Sequence, residues 1–192
     1  MMWSDPLLVA ARVGAILDNL GVSYLIGGSL ASSVYGIPRA TQDVDLIAAL
    51  QLRHVDPLIS SLGIDFYVSQ EATRTAIRDA ATFNVVHLAT MFKVDIFVAR
   101  EDPWIRSEFD RARLETIGGI TLRFAAPEDV LLHKILWYKM GNEVSDRQWN
   151  DVLGILRIQA ANLDEAYLTR WASHLGVAPL LDRARGEAGP QV

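Results

Sequence analysis

The stretch YLIGGSLASSVYGIPRATQDVDL, residues 24–46, decides how the rest of the chain is interpreted. Its pattern predicts, in order, a strand over 22–26, a Gly-Gly break, a helix over 29–35, a loop, and a strand over 42–49. A strand that ends in glycine and leads into a helix presents backbone N–H groups that suit a phosphate. We therefore expect an anion-binding turn at Gly27, Gly28 and Ser29, although Ser29 taken alone is better explained as a helix N-cap.

Two carboxylates occupy alternate positions of the second of these strands. Asp43 and Asp45 are two residues apart, so their side chains point to one face, and Val44 and Leu46 point to the other, buried face. Adjacent carboxylates repel each other, and a divalent cation such as Mg²⁺ offsets that repulsion. The alternative is a solvated face at a sheet edge, but the strand continues as an apolar run that does not suit an exposed edge.

A third carboxylate lies in the apolar strand KVDIFV predicted over 93–98. Aspartate is poorly suited to the interior of a strand, so the presence of Asp95 in this apolar run needs an explanation. If this strand lies beside the first, Asp95 faces the same side as Asp43 and Asp45. Three carboxylates can hold two metal ions about 3.5–4 Å apart, the arrangement used for phosphoryl and nucleotidyl transfer. A hydrogen-bonded residue at the end of a strand is the alternative for Asp95 alone.

Composition excludes several classes of function. The net charge of -5 argues against a protein that coats duplex nucleic acid, because such binding depends on neutralising phosphates. The absence of cysteine excludes a disulfide scaffold, a thiolate zinc site and a thiol nucleophile. We find neither a signal-peptide pattern nor an apolar run long enough to span a bilayer, and we expect a cytoplasmic protein with no membrane partner.

Strands and helices alternate along the first two thirds of the sequence, and only helices are predicted after that. Two hairpins are expected, one from the strands over 83–88 and 93–98, and one over 113–124 that turns at Gly118-Gly119. The pattern predicts an α/β (α+β) fold, with a small mixed β-sheet domain flanked by helices over 1–126 and a C-terminal helical bundle over 127–192.

The order and spacing of these motifs resemble a known signature. GGS at 27–29, then thirteen residues, then DVD at 43–45, with Asp95 on a later strand, is similar to the signature of the DNA polymerase β-type nucleotidyltransferase superfamily. The intervening YGIPRAT at 35–41 resembles the branch with the AbiEii/MenT-like toxin nucleotidyltransferases and the lincosamide-type antibiotic nucleotidyltransferases. The resemblance extends from residue 22 to about residue 151.

The resemblance implies an enzyme that moves a nucleoside monophosphate from a nucleoside triphosphate to an acceptor hydroxyl and releases pyrophosphate. It implies two Mg²⁺ ions, which Mn²⁺ could replace, and an acceptor that is tRNA, a protein or a small molecule. The toxin branch further implies a cognate antitoxin protein as a partner. The alternative is a nucleotide-binding or protein-interaction module of the same fold without turnover, which the acidic balance and the few lysines favour.

The resemblance also assigns roles to individual residues. It implies catalytic and metal-binding roles for Asp43, Asp45 and Asp95, the last of which would help to deprotonate the attacking hydroxyl. It implies that the nucleotide phosphates contact Gly27, Gly28, Ser29 and Lys134. Arg39, in the loop between the two motifs, is a further candidate for a phosphate contact. Three further residues are expected to support the site, namely Thr41, which would orient Asp43, and the pair Arg147 and Asp151.

Simpler explanations exist for the residues outside the carboxylate set. Lys134 flanks an apolar helix face and could be a surface lysine that extends its ammonium group into water. Arg147 and Asp151 are four residues apart on a predicted helix, so an i,i+4 salt bridge accounts for them equally well. Arg39 and Thr41 could simply be residues of a loop.

Overall fold

The computed structural model describes residues 4–189 and has the predicted α+β architecture. The strands are β1 (Tyr24–Ile26), β2 (Asp43–Ala48), β3 (Phe66–Val68), β4 (Thr82–His87), β5 (Lys93–Val98), β6 (Arg113–Ile117) and β7 (Ile120–Phe124). The α-helices are α1 (Ser4–Asn19), α2 (Gly28–Tyr35), α3 (Val55–Leu62), α4 (Gln70–Asp79), α5 (Pro103–Asp110), α6 (Pro127–Met140), α7 (Asp146–Gln159), α8 (Glu165–His174) and α9 (Ala178–Ala188). Within this range, none of the helices combines the length and apolar character needed to cross a bilayer.

The strands form one seven-stranded mixed sheet in the order β3-β4-β5-β2-β1-β7-β6. Both predicted hairpins are confirmed, because β4 pairs with β5 and β6 pairs with β7 in antiparallel fashion. The central neighbours β2 and β5 run parallel, so every residue of β2 has a partner on β5. This pairing of β2 with β5 places the two strands that carry the predicted carboxylates side by side.

The chain divides into two compact units. The sheet unit comprises the residues up to Gly27 together with Ala40–Phe124, and the helical unit comprises Gly28–Arg39 together with the residues from Ala125 onward. The predicted division after residue 126 differs from these units in the segment Gly28–Arg39, which belongs with the later helices. The sequence could not reveal this, because α2 lies between two strands and is 91 residues or more from its helical partners.

The core of the sheet unit follows from the alternation of residues along β2 and β5. Val44, Leu46, Val94 and Ile96 are all fully buried. Helix α1 packs on this sheet, and α3 packs on α1. Full burial of one such aliphatic side chain stabilises the fold by about 1.5–3 kcal/mol. The alternate residues of the same strands are therefore held on the opposite face.

In the helical unit, α2 packs against α6 and α7. Two glycines allow the end of α2 to approach α7 closely. A Cβ atom on Gly36 would lie 3.0 Å from the backbone nitrogen of Ile155, and one on Gly154 would lie 3.2 Å from that of Ile37. Larger side chains at these two positions would force the helices apart, so the glycines fix the spacing of α2 and α7.

Helix α5 is not predicted by the sequence analysis. It begins at a clear N-cap, because the Asp102 carboxylate accepts a hydrogen bond from the Trp104 backbone N–H at 2.7 Å and Pro103 follows the cap. Its two buried residues are Trp104 and Glu108. A charged residue on the inward face of a two-turn helix hides the apolar periodicity that reveals longer helices.

Candidate active site

The three predicted carboxylates lie on one face of the central strands. Asp45 on β2 is directly opposite Asp95 on β5, and Asp43 is two residues before Asp45 on the same strand. The intervening residues Val44 and Leu46 are buried, as the alternation predicts. The expectation that Asp95 faces the same side as the Asp-x-Asp pair is therefore confirmed. We call this set of Asp43, Asp45 and Asp95 the acidic face.

Thr41 contacts the acidic face from the loop before β2. Its hydroxyl lies 2.8 Å from Oδ1 of Asp43 and 3.0 Å from the Asp43 backbone carbonyl. Because a hydroxyl carries a single proton, these two acceptors share one donor. The contact holds the Asp43 side chain in one orientation, which is the supporting role predicted for Thr41.

Lys93 belongs to the same face, and the sequence analysis did not single it out. Its Nζ lies 2.8 Å from Oδ2 of Asp95, and its position on β5 is directly opposite Asp43. The hydrogen bond that Lys93 donates to Asp95 is the main cause that raises the pKa of Lys93. Burial lowers this pKa, and the charges of Asp95, Asp43 and Asp45 raise it further. Strand periodicity was the available signal, since Lys93 and Asp95 are two residues apart.

The acidic face fits a hard divalent cation in donor type and in charge. Three carboxylates and one ammonium group sum to a charge of −2, and carboxylate oxygens are the ligands that Mg²⁺ prefers. Oδ1 of Asp95 is buried and accepts no hydrogen bond from residues 4–189, so one ligand atom stands without a protein donor. In that same range, no three metal-ligating side chains converge into a complete metal site. The metal-binding roles of the acidic face accordingly stay predictions.

A second charged cluster lies in the helical unit and centres on Asp151 of α7. Arg39 donates from Nε to Oδ1 of Asp151 and from Nη2 to Oδ2, both at 2.9 Å. Lys134 of α6 places its Nζ 2.8 Å from the same Oδ2. We call Arg39, Lys134 and Asp151 the basic cluster. The alternative of a surface lysine at position 134 is wrong, because that residue is only 3% exposed.

The basic cluster sets two cationic side chains on one carboxylate, with Lys134 and Asp151 buried and Arg39 partly exposed. Burial raises the pKa of the Asp151 carboxyl, but the hydrogen bonds from Arg39 and the charge of Lys134 outweigh burial, and the net effect lowers that pKa. Two cations and one carboxylate sum to a charge of +1. Cationic side chains held in this way are favourable for an anionic group such as a phosphate.

Ser29 is linked to the basic cluster through Arg39. The Arg39 Nη2 donates to Oγ of Ser29 at 2.5 Å. The backbone of Arg39 is fixed in turn by the buried Ser33, whose Oγ accepts from the Arg39 N–H at 3.3 Å. Two of the predicted nucleotide-binding residues, Ser29 and Arg39, thus contact each other. Arg39 and a third predicted residue, Lys134, both contact Asp151.

The two glycines of the turn differ in what they can offer. Gly27 donates its backbone N–H to the Asp45 carbonyl at 2.9 Å, so this N–H is not available to a phosphate. The predicted nucleotide contact of Gly27 therefore loses its most obvious donor. Gly28 is the first residue of α2 and has a φ of +57°, a conformation that side chains other than glycine rarely adopt. Its predicted role is compatible with this geometry.

The explanation of Arg147 and Asp151 as an i,i+4 salt bridge is wrong. Arg147 lies exposed in the first turn of α7, and within the described part of the chain the ion pairs of Asp151 are those with Arg39 and Lys134. Burial of Asp151 on the packed side of α7 explains the difference, because the exposed side chain of Arg147 lies outside that packing. Asp151 is thus the member of this pair that joins the other predicted residues.

Solved structures of similar fold include one that is named for its likeness to nucleotidyltransferases. An antigenic nucleotidyltransferase-like protein from Paracoccidioides brasiliensis superimposes with a TM-score of 0.55 at 22% identity, over 98% of this chain and 95% of its own. The solution structure of the antibiotic-resistance factor ANT(2'')-Ia gives a TM-score of 0.56 at 13% identity, over 95% of this chain and 99% of its own.

A second structure of ANT(2'')-Ia, in complex with adenylyl-2''-tobramycin, gives a TM-score of 0.50 at 16% identity, over 95% of each chain. No protein-family model matches the sequence, and no curated protein matches it. At these identities the likeness establishes the fold, and the chain shares that fold with nucleotidyltransferase-like proteins. The narrower resemblance to the toxin branch stays a prediction.

Proposed function

We propose that this protein is a metal-dependent nucleotidyltransferase that moves a nucleoside monophosphate from a nucleoside triphosphate to an acceptor hydroxyl. The observation that carries the proposal is the placement of Asp45 opposite Asp95 on adjacent parallel strands, with Asp43 on the same face. Three carboxylates gathered at the centre of a sheet repel one another, so a cationic ligand is the simplest reason for such a face. The shared fold with known nucleotidyltransferases supports the same reaction class.

The acidic face would hold the divalent cations, through Asp43, Asp45 and Asp95. When bound, Mg²⁺ or Mn²⁺ supplies charge stabilisation for the phosphoryl oxygens and polarises the attacking hydroxyl. Thr41 would keep Asp43 in the orientation that its hydrogen bond defines. This arrangement leaves little covalent chemistry to the protein, whose work is orientation and electrostatic stabilisation.

The basic cluster would bind the triphosphate tail. Arg39 and Lys134 provide fixed cations, and Asp151 holds both of them in place through three contacts of 2.8–2.9 Å. Asp151 is therefore a positioning residue in this proposal. The hydroxyl of Ser29, already bonded to Arg39, and the start of α2 at Gly28 add neutral donors of the kind that phosphates accept at helix N-termini.

The proposed reaction forms one bond, breaks one bond and transfers one proton. The acceptor oxygen forms a bond to the α-phosphorus, the bond from that phosphorus to the α–β bridging oxygen breaks, and pyrophosphate leaves. The proton of the acceptor hydroxyl goes to Asp95. Its Oδ1 atom suits this role, because Oδ1 is buried and accepts no hydrogen bond within residues 4–189.

Incubation of the protein with each α-labelled nucleoside triphosphate and Mg²⁺ tests the proposal. Parallel reactions with total tRNA, with a protein extract and with tobramycin as acceptors identify the class of acceptor. We expect label transfer in one of them, and a loss of about 10³-fold in Asp45→Asn, as for other groups that stabilise developing charge. Asp79→Asn, which alters an exposed carboxylate of α4, is the matched control and should keep full activity.

Calorimetry separates the remaining explanations. Absence of both transfer and triphosphate binding would contradict the proposal. Triphosphate binding without any product, together with a co-purifying protein, would instead support a module of the same fold without turnover. An antitoxin is one such protein, and it is the partner expected if the chain belongs to the toxin branch.

A further inference from the structure

We infer that Lys93 is a tethered counter-cation of the acidic face, which occupies this face in the free protein and weakens its affinity for a divalent cation. The inference rests on the proposed function in one respect, namely that the acidic face binds such a cation. It concerns when the metal can bind, and this is independent of which acceptor the enzyme uses.

The ammonium group of Lys93 lies near the same three carboxylate charges that would attract a bound cation. The Nζ atom lies 2.8 Å from Oδ2 of Asp95, and the register sets Lys93 directly opposite Asp43. The ammonium interacts favourably with the charges of Asp95, Asp43 and Asp45, with the contribution of Asp95 the largest. The Lys93 ammonium thus offsets part of the negative charge of the acidic face, and most strongly that of Asp95.

Lys93 is also able to leave. Its side chain is 43% exposed, and an ion pair that reaches solvent is held weakly. A lysine ammonium sits on a flexible four-carbon stem and is readily hydrated once released. Lys134, whose side chain is 4% exposed, shows the opposite condition within the same protein. The contact of Lys93 with Asp95 therefore suits an exchangeable cation better than a permanent structural bridge.

This arrangement has a consequence for the order of binding. A free divalent ion must compete with the ammonium group for the Asp95 carboxylate and is repelled by its charge, so its affinity for the protein alone is reduced. An ion that arrives bound to a triphosphate brings further ligands of its own and competes more effectively. Lys93 would thereby favour loading of the metal together with the nucleotide.

Titration of the protein with Mn²⁺ alone, without nucleotide, tests the inference by calorimetry. We expect Lys93→Met to bind Mn²⁺ about tenfold more tightly than the unchanged protein, since a nearby like charge is removed. Lys93→Arg keeps the charge and should retain the original affinity. Lys139→Met removes one lysine of the helical unit, whose Nζ donates to the Gly176 carbonyl, and should leave Mn²⁺ affinity unchanged.

An unchanged or weaker Mn²⁺ affinity in Lys93→Met would overturn the inference, as would an equal gain in Lys139→Met. Lys93→Gln is the second variant if Lys93→Met does not fold, and circular dichroism establishes folding in each case. The outcome is distinguishable from that of the proposed function. Tighter Mn²⁺ binding without any nucleotidyl transfer would overturn the enzyme proposal alone, and transfer with unchanged Mn²⁺ affinity would overturn the role of Lys93 alone.

Discussion

The acidic face and the basic cluster use the same chemical groups under opposite conditions of solvent exposure. On the acidic face, the side chains of Lys93 and Asp95 are 43% and 15% exposed. In the basic cluster, those of Lys134 and Asp151 are 4% and 6% exposed. Ion pairs that reach water contribute little to stability, whereas breaking a buried pair leaves an uncompensated charge and is expensive. The first region can therefore exchange its cation, and the second is fixed.

The net charges of the two regions are opposite as well. The acidic face with Lys93 sums to −2, and the basic cluster sums to +1. The pair of Lys134 and Asp151 thus combines charge with burial, whereas the pair of Lys93 and Asp95 keeps its charges closer to solvent.

The largest expected effect on stability comes from removing the central carboxylate of the basic cluster. Asp151→Ala should lower the free energy of unfolding by about 3–5 kcal/mol, because Arg39 and Lys134 lose their shared partner in a buried place. Asp95→Ala, the matched variant of the acidic face, should change it by less than about 1 kcal/mol. Denaturant unfolding of both variants measures the difference, and equal costs would contradict the comparison.

The spacing of α2 and α7 supports the basic cluster and gives the next effect. Gly154→Ala should destabilise the protein by about 1–3 kcal/mol, because a Cβ atom there would lie 3.2 Å from the Ile37 backbone nitrogen. Gly186→Ala places a Cβ in open space on α9 and should be neutral or stabilising by about 1 kcal/mol. Thermal unfolding measures both, and similar shifts in the two variants would refute the close-approach explanation.

Thr41 provides a smaller test on the acidic face. Thr41→Val removes the hydroxyl that contacts Oδ1 of Asp43 while it preserves shape, so transfer should fall about tenfold and stability should change by about 1 kcal/mol or less. Thr116→Val, which removes an exposed hydroxyl contact with Thr121 on the β6–β7 hairpin, is the control for activity. Steady-state transfer rates measure this effect. Equal rates in both variants would show that Thr41 is an ordinary loop residue with no supporting role.

The pH dependence of stability gives the smallest expected effect. The pKa of Asp151 in the folded protein lies below its ordinary value near 3.8, so this carboxylate stabilises the fold at all pH values above that. Its contribution should be lost as the pH falls through the lowered pKa. Denaturant midpoints measured from neutral pH into acid should fall less steeply in Asp151→Asn than in the unchanged protein. Parallel curves would mean that other carboxylates account for the acid sensitivity.

The parts of the fold and site that sequence predicts well are governed by local periodicity. The alternation around Asp43 and Asp45 requires only the geometry of a strand, and the structure confirms the buried faces of Val44 and Leu46. The two hairpins are equally local, since turn residues and apolar runs define them. The pairing of β2 with β5 is a step further, and an aspartate in the apolar run of β5 was enough to suggest it.

The parts that sequence misses depend on distant partners. Arg39 and Asp151 are 112 residues apart, and nothing in either neighbourhood indicates their contact. For Asp151 the sequence offers Arg147, one turn away, and local spacing then favours the wrong ion pair. Lys93 is missed because a lysine at the start of a strand is ordinarily a solvated residue. Only its register with Asp43 shows that it belongs to the acidic face.

The assignment of Gly28–Arg39 to the helical unit has a consequence for the time course of folding. During synthesis, α2 is complete about 90 residues before α6 begins, so its buried side chains, such as Leu30 and Tyr35, have no helical partners for several seconds at ordinary translation rates of about 5–20 residues per second. Neither unit is continuous along the chain, and each must wait for a later segment. We expect this protein to depend on its cell's holding chaperones more than a chain of equal length whose units are contiguous.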